Sequence, residues 1–191
     1  MYEIRLHGRG GQGAVLASGL LAAGVVAAGK FAVAIPSFGF ERRGAPVAAF
    51  VRIDTREIRR MTNITNPDCV LCIDPTVSRT VDIFAGLRPG GTLVQASASA
   101  PGEIQVPPTV ATVGVCNAVR IAMDIFGRPI TNTLMLGALA RTTGEVELDA
   151  LESALAASEL RDAGLDQNIE ALRRGYAETV VHVVEARRVV Q

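Results

Sequence analysis

Chemistry in this chain would have to come from few places. The segment HGRGGQG, His7 to Gly13, holds four glycines in seven residues, and a second loop, Phe40-Glu41-Arg42-Arg43-Gly44-Ala45-Pro46, sets two arginines beside a glutamate. Glycines let backbone turn sharply and lie close to another group, and a helix starting just after them offers unpaired N–H groups to an anion or a carbonyl. Guanidinium groups suit phosphate or carboxylate through paired hydrogen bonds. The other reactive side chains are scattered. His7 and His182 are the only histidines and fall on separate elements, so both read as structural. Cys69 and Cys72 match the letters of a CxxC motif, but in the run CVLCI an extended backbone sends them to opposite faces, as two core residues. With Cys116 they are too few for a four-thiolate cluster, and no spacing suggests a metal site. Asp74, at the end of that run, reads as a helix cap with Thr76 nearby, and a catalytic carboxylate is the alternative.

The glycine loop has three readings. Gly8-Arg9-Gly10-Gly11-Gln12-Gly13 satisfies the G-x-G-x-x-G pattern of dinucleotide binding, with a strand before it and a helix after. That pattern calls for an acidic residue about 20 positions on to hold a ribose. The second strand, FAVAIPSFGF, has no acid, and Glu41 arrives late, after a proline. An NADP reading has Arg42 and Arg43 for the 2′-phosphate but no crossover helix behind them. A P-loop is excluded, because no Gly-Lys-Ser/Thr follows and Lys30 is the only lysine. The loop is otherwise a tight strand-to-helix turn, or a backbone contact for another chain.

The elements that must position these loops follow from pattern. Strands are expected at Tyr2–Leu6, Phe31–Ile35, Val47–Ile53, Cys69–Ile73, Thr92–Gln95 and Thr109–Val113. Helices are expected at Gln12–Ala28, over about ten residues from Asp74-Pro75-Thr76 to near Gly86, at Asn117–Phe126, Asn132–Thr142 and Leu148–Ser158, and from Asp166 to about Val184. The first helix is apolar nearly all round, hence buried. Strands and helices that alternate predict an α/β three-layer single domain, residues 1–191, with a mostly parallel open sheet and a helical C-terminal part. In such sheets sites gather at the carboxyl ends of strands, where the glycine loop, the 36–46 loop and Asp74 fall.

Composition excludes several classes. The 191 residues carry zero formal net charge, against a polyanionic partner such as nucleic acid or an anionic membrane surface. Three cysteines make no even disulfide framework, which suits a reducing, cytoplasmic setting. The apolar stretch Ala14 to Ala28 is shorter than the roughly 20 residues of a membrane span, and Glu3, His7 and the glycine cluster do not suit a secretory signal.

HGRGGQG after a first strand, FERRGAP after a second and Asn132-Thr133-Leu134-Met135-Leu136-Gly137-Ala138 before the last helices form an ordered set. It resembles the gamma subunit of the 2-oxoacid:ferredoxin oxidoreductases, a family with pyruvate, 2-oxoisovalerate, 2-oxoglutarate, indolepyruvate and phenylglyoxylate members. The resemblance runs from Tyr2 to about Tyr176. It implies a non-catalytic subunit of a complex that oxidatively decarboxylates a 2-oxoacid to its acyl-CoA and passes electrons to ferredoxin or another acceptor. Thiamine diphosphate, Mg and 4Fe-4S clusters would lie in alpha, beta and delta partner subunits, with coenzyme A as co-substrate at or near the interface. By the same resemblance Gly8, Arg9, Gly10, Gly11, Gln12 and Gly13, with Glu41, Arg42, Arg43 and Gly44, would meet those subunits or coenzyme A. The alternative is a free-standing NADP- or nucleotide-binding α/β protein.

Overall fold

A computed structural model describes residues 1–36, 44–159 and 164–184. The elements are β1 (Tyr2–Arg9), α1 (Ala14–Ala27), β2 (Phe31–Pro36), β3 (Pro46–Asp54), β4 (Cys69–Cys72), β5 (Gly91–Ala96), β6 (Val110–Cys116), α2 (Ala118–Phe126), α3 (Asn132–Thr143), α4 (Leu148–Ala157), α5 (Leu165–Ala177) and β7 (Val180–Val183). The seven strands make one sheet in the order β2-β3-β1-β4-β5-β6-β7. β1, β4, β5 and β6 pair in parallel. β3 runs against both β1 and β2, so β2 points the same way as β1, and β7 runs against β6. The sheet is therefore mixed and mostly parallel, as the α/β pattern predicts.

Alternation along β1 divides the molecule. Ile4 and Leu6 face a core shared with Leu21 and Val25 of α1, Leu134 and Leu139 of α3, Leu151 of α4 and Leu172 of α5. The other side of the sheet presents Val70, Cys72, Leu93, Val113 and Val115 to Val77, Ile83 and Leu87. The third layer is thus made of turns and extended chain, and the five α-helices among the described residues pack on the first core. Glu3, Arg5 and His7 point to this second side and are buried. Glu3 accepts from Arg52 Nε at 2.7 Å, and Arg52 Nη1 also donates to the carbonyls of Arg60 at 3.0 Å and Thr62 at 2.6 Å. An ion pair so pins the long connection before β4.

Two expected helices differ in the structure. The ten-residue helix after Asp74 is a five-residue 3₁₀ turn, Pro75–Arg79. The Asp82 carboxylate accepts from the Phe84 amide at 2.9 Å, a local turn that competes with helix continuation. The Ile83 and Ala85 carbonyls are taken by Arg5 Nη2 at 2.9 and 2.7 Å instead of by downstream amides. The crossover from β4 to the parallel β5 consequently has no α-helix. At the other end, the helix expected to run to about Val184 stops at Ala177, and Val180–Val183 pairs with Thr112–Val115 of β6. Its β-branched residues suit a strand, and pairing satisfies backbone groups that β6 would otherwise expose.

Candidate functional site

The glycine loop forms at the carboxyl end of β1, where the chain reverses into α1. Gly11 and Gly13 adopt left-handed φ of 91° and 76°, a region costly for residues with a Cβ. Gly13 occupies the N-cap position of α1, and its carbonyl accepts from the Ala17 amide at 2.8 Å. A cap without a side chain leaves the first-turn amides of α1 with no partner from that residue, and no acidic residue stands in that turn. A Cβ on Gly13 would come within 2.6 Å of Asn132 Nδ2, so the first residue of α3 closes over the turn. Asn132 is buried, and its Oδ1 has no hydrogen-bond partner.

The two polar side chains of the loop turn inward. Gln12 Oε1 accepts from the Arg9 amide at 2.7 Å, while Gln12 Nε2 donates to Asp74 Oδ2, also at 2.7 Å. Arg9 Nε donates to Thr76 Oγ1 at 3.0 Å and lies 3.4 Å from Asp74 Oδ2; its Nη2 donates to the Thr76 carbonyl at 3.1 Å. Asp74 Oδ1 accepts from the Thr76 amide at 2.8 Å and hydroxyl at 2.7 Å. Burial alone would raise the Asp74 carboxyl. The hydrogen bonds from Thr76 and Gln12 and the Arg9 charge outweigh it and hold the group below the ordinary carboxylate range.

The described end of the second loop lies against the first. Gly10 N donates to the Ala45 carbonyl at 2.9 Å and Gly44 N to the Gly10 carbonyl at 3.1 Å, carrying the β1–β3 pairing past Arg9. Arg9 Nη1 reaches the Gly44 carbonyl at 2.9 Å. Gly8 through Gly13 and Gly44 are thus brought together, although 31 positions separate Gly13 from Gly44. Glu41, Arg42 and Arg43 lie outside the described residues. Asp74 serves as a cap and also as a partner of Gln12. Reading the sequence missed Thr76, Ala45 and Asn132 as parts of this assembly. For Thr76 the signal was positional, since parallel pairing of His7 with Cys72 sets Arg9 beside Asp74; Ala45 comes in through the β1–β3 pairing and Asn132 through α3 packing over Gly13.

Other candidates fall as their neighbours dictate. His7 is buried, and burial first, then the Arg5 charge, lowers its pKa to about 4. Cys69 and Cys72 belong to opposite cores, so the three thiols do not converge on a cluster. Burial lifts the Cys69 thiol far up and Cys72 to about 12. Among the described residues no three His, Cys, Asp or Glu side chains are grouped to hold a metal ion. The three thiols therefore do not fit a four-thiolate iron–sulfur cluster. Among the described residues no helix is long and apolar enough to cross a membrane.

Residues 3–178 match the family model described as Pyruvate ferredoxin/flavodoxin oxidoreductase. The chain belongs to this family. It is 63% identical over 187 residues to the gamma subunit of an NADH-dependent phenylglyoxylate dehydrogenase from Aromatoleum evansii, covering 98% of each chain. A common gamma subunit of pyruvate/ketoisovalerate oxidoreductases from Thermococcus litoralis is 43% identical over 184 residues, 95% of this chain and 99% of that one. The crystal structure of the pyruvate oxidoreductase subunit PORC from Thermotoga maritima superposes with a TM-score of 0.79 at 38% identity, covering 94% and 97% of the two chains. Within the pyruvate ferredoxin/flavodoxin oxidoreductases this chain is a gamma-type subunit, part of an oxidoreductase and not catalytic alone. A free-standing nucleotide-binding enzyme is not favoured.

Proposed function

We propose that the chain completes a cytoplasmic complex that oxidatively decarboxylates a 2-oxoacid to its acyl-CoA and passes the electrons to ferredoxin or another acceptor. It acts there as one domain over residues 1–191, beside alpha, beta and delta subunits. Those partners hold thiamine diphosphate, Mg and 4Fe-4S clusters, which supply carbanion stabilisation and electron transfer. The gamma chain contributes a surface: Gly8 to Gly13 with Glu41 to Gly44 face the other subunits and border the approach of coenzyme A. Arg42 or Arg43 anchors an interface carboxylate or a coenzyme A phosphate.

One observation carries this reading. The loop spends its Arg9 and Gln12 side chains on Asp74, Thr76, Gly44 and its own backbone, which leaves mainly backbone, beside a helix start that no side chain caps, for a partner to meet. Such a surface suits close approach by protein or an anionic group and supplies no acid, base or nucleophile. The 63% identical relative, a phenylglyoxylate dehydrogenase subunit by name, makes an aromatic 2-oxoacid the first substrate to assay.

Affinity-tagged chain, expressed with its partner subunits, is expected to co-purify with iron–sulfur proteins and support CoA-dependent turnover of a 2-oxoacid, and to be inactive alone. Arg42→Ala and Arg43→Ala then test the anchor. If both leave assembly and the coenzyme A dependence of turnover unchanged, the arginine assignment is wrong.

A further inference from the structure

We propose that Asp74 is a positioning residue that fixes the shape of the glycine loop through Gln12 and Arg9. The inference rests on the reading above, that this loop is a contact surface, and adds what sets its conformation. The residue stands outside the loop, 62 positions from Gln12, two residues past the end of β4, the strand that pairs in parallel with β1.

The polarity of the arrangement admits one orientation. A backbone N–H only donates, so the Gln12 oxygen must face Arg9 N and the Gln12 NH₂ must face position 74. Position 74 has then to present an acceptor. An ionised carboxylate does so, with Oδ2 left for Gln12 and Arg9 while Oδ1 takes both groups of Thr76. The loop is closed around this amide: Gln12 N donates to the Arg9 carbonyl at 3.0 Å, and a Cβ on Gly8 would touch Gln12 Oε1 at 3.4 Å. Loss of the acceptor would free Gln12 to swing into the space that a partner has to occupy, and would take from Arg9 the carboxylate beside it, leaving that side chain only its Thr76 and Gly44 bonds.

The test uses reversal of the hydrogen bond. Asp74→Asn keeps an oxygen for Thr76 but turns an NH₂ toward the NH₂ of Gln12, and rotating either amide only moves the conflict. Gln12→Glu alone sets carboxylate against carboxylate. The double variant restores one donor and one acceptor, with the charge moved into the loop. In the complex reassembled from the chain and its partner subunits, each single variant is expected to weaken binding of this chain about tenfold, the worth of one charge-assisted hydrogen bond. The double variant should return to within about threefold of the wild type. A mere cap for Thr76 would show no such rescue.

Gly11→Ala, which disturbs the loop without touching Asp74, separates the two ideas. If Gly11→Ala weakens binding and Asp74→Asn does not, the positioning role fails and the contact surface stands. If the double variant is no better than the worse single variant, the positioning role also fails. If neither Gly11→Ala nor Asp74→Asn has an effect, both fail.

Discussion

Gly137→Ala should destabilise the chain, although alanine is the better helix former. Gly137 lies mid-helix in α3, and a Cβ there would stand 2.1 Å from the Leu172 carbonyl oxygen and 2.7 Å from the Tyr176 nitrogen of α5. The contact is reciprocal, since a Cβ on Gly175 would stand 2.0 Å from the Leu134 carbonyl oxygen. Both obstacles are backbone, so no side chain can rotate away. Reaching ordinary contact at 3.4 Å requires the helices to part by about 1.3 Å, along an α3 whose residues 132–140 are all buried. Overpacking of this kind costs about 1–3 kcal/mol, and backbone against backbone belongs at the upper end. Helix propensity returns about 1 kcal/mol. The net is a loss of about 2 kcal/mol, or about 4–8 °C in Tm for a domain of this size. Gly19→Ala is the control, because Gly19 also sits mid-helix, in α1, and nothing lies within 4 Å of its added methyl. It should gain about 0.5–1 kcal/mol. Urea unfolding of the purified chains, followed by circular dichroism, measures both. A Gly137→Ala midpoint at or above the wild-type value would refute the close-packing argument.

His7 predicts a pH dependence. Its pKa is about 4 in the folded chain and near 6.5 when unfolded, so between those values only the unfolded chain takes up the proton. Stability is expected to fall by about 3 kcal/mol as pH drops from 6.5 to 4 and no further below, and the difference between wild type and His7→Leu in urea midpoints isolates this part. Arg52→Met leaves Glu3 buried with one partner fewer and unpins Arg60 and Thr62, at a cost of about 3 kcal/mol; limited proteolysis should cut first within residues 55–66. Cys69, Cys72 and Cys116 are buried and their thiols raised by burial, so iodoacetamide at neutral pH should label none of them until the chain unfolds.

What could be read from sequence was what local pattern decides. Alternation and β-branched runs placed β1 to β6, glycines closed α1 and α2, and the glycine loop announced itself by composition. Long-range contacts decided the rest. The carbonyls of Ile83 and Ala85 give up a helix because Arg5, on β1, reaches them. A short apolar run such as Val180–Val183 fits the tail of a helix as well as a strand until β6 offers an edge. In the site, the motif letters were legible but their division of labour was not. Asp74 and Thr76, more than 60 positions away, take hydrogen bonds from the Gln12 and Arg9 side chains, and no local pattern announces those pairings.

Amide hydrogen exchange of this chain, alone and within the assembled oxidoreductase, tests most directly whether the glycine loop is a contact surface. On assembly the amides from Gly11 to Leu16 should slow about tenfold or more, as partner groups cover the uncapped start of α1. Equal rates for those amides in both states, with protection arising on some other face, would contradict the account.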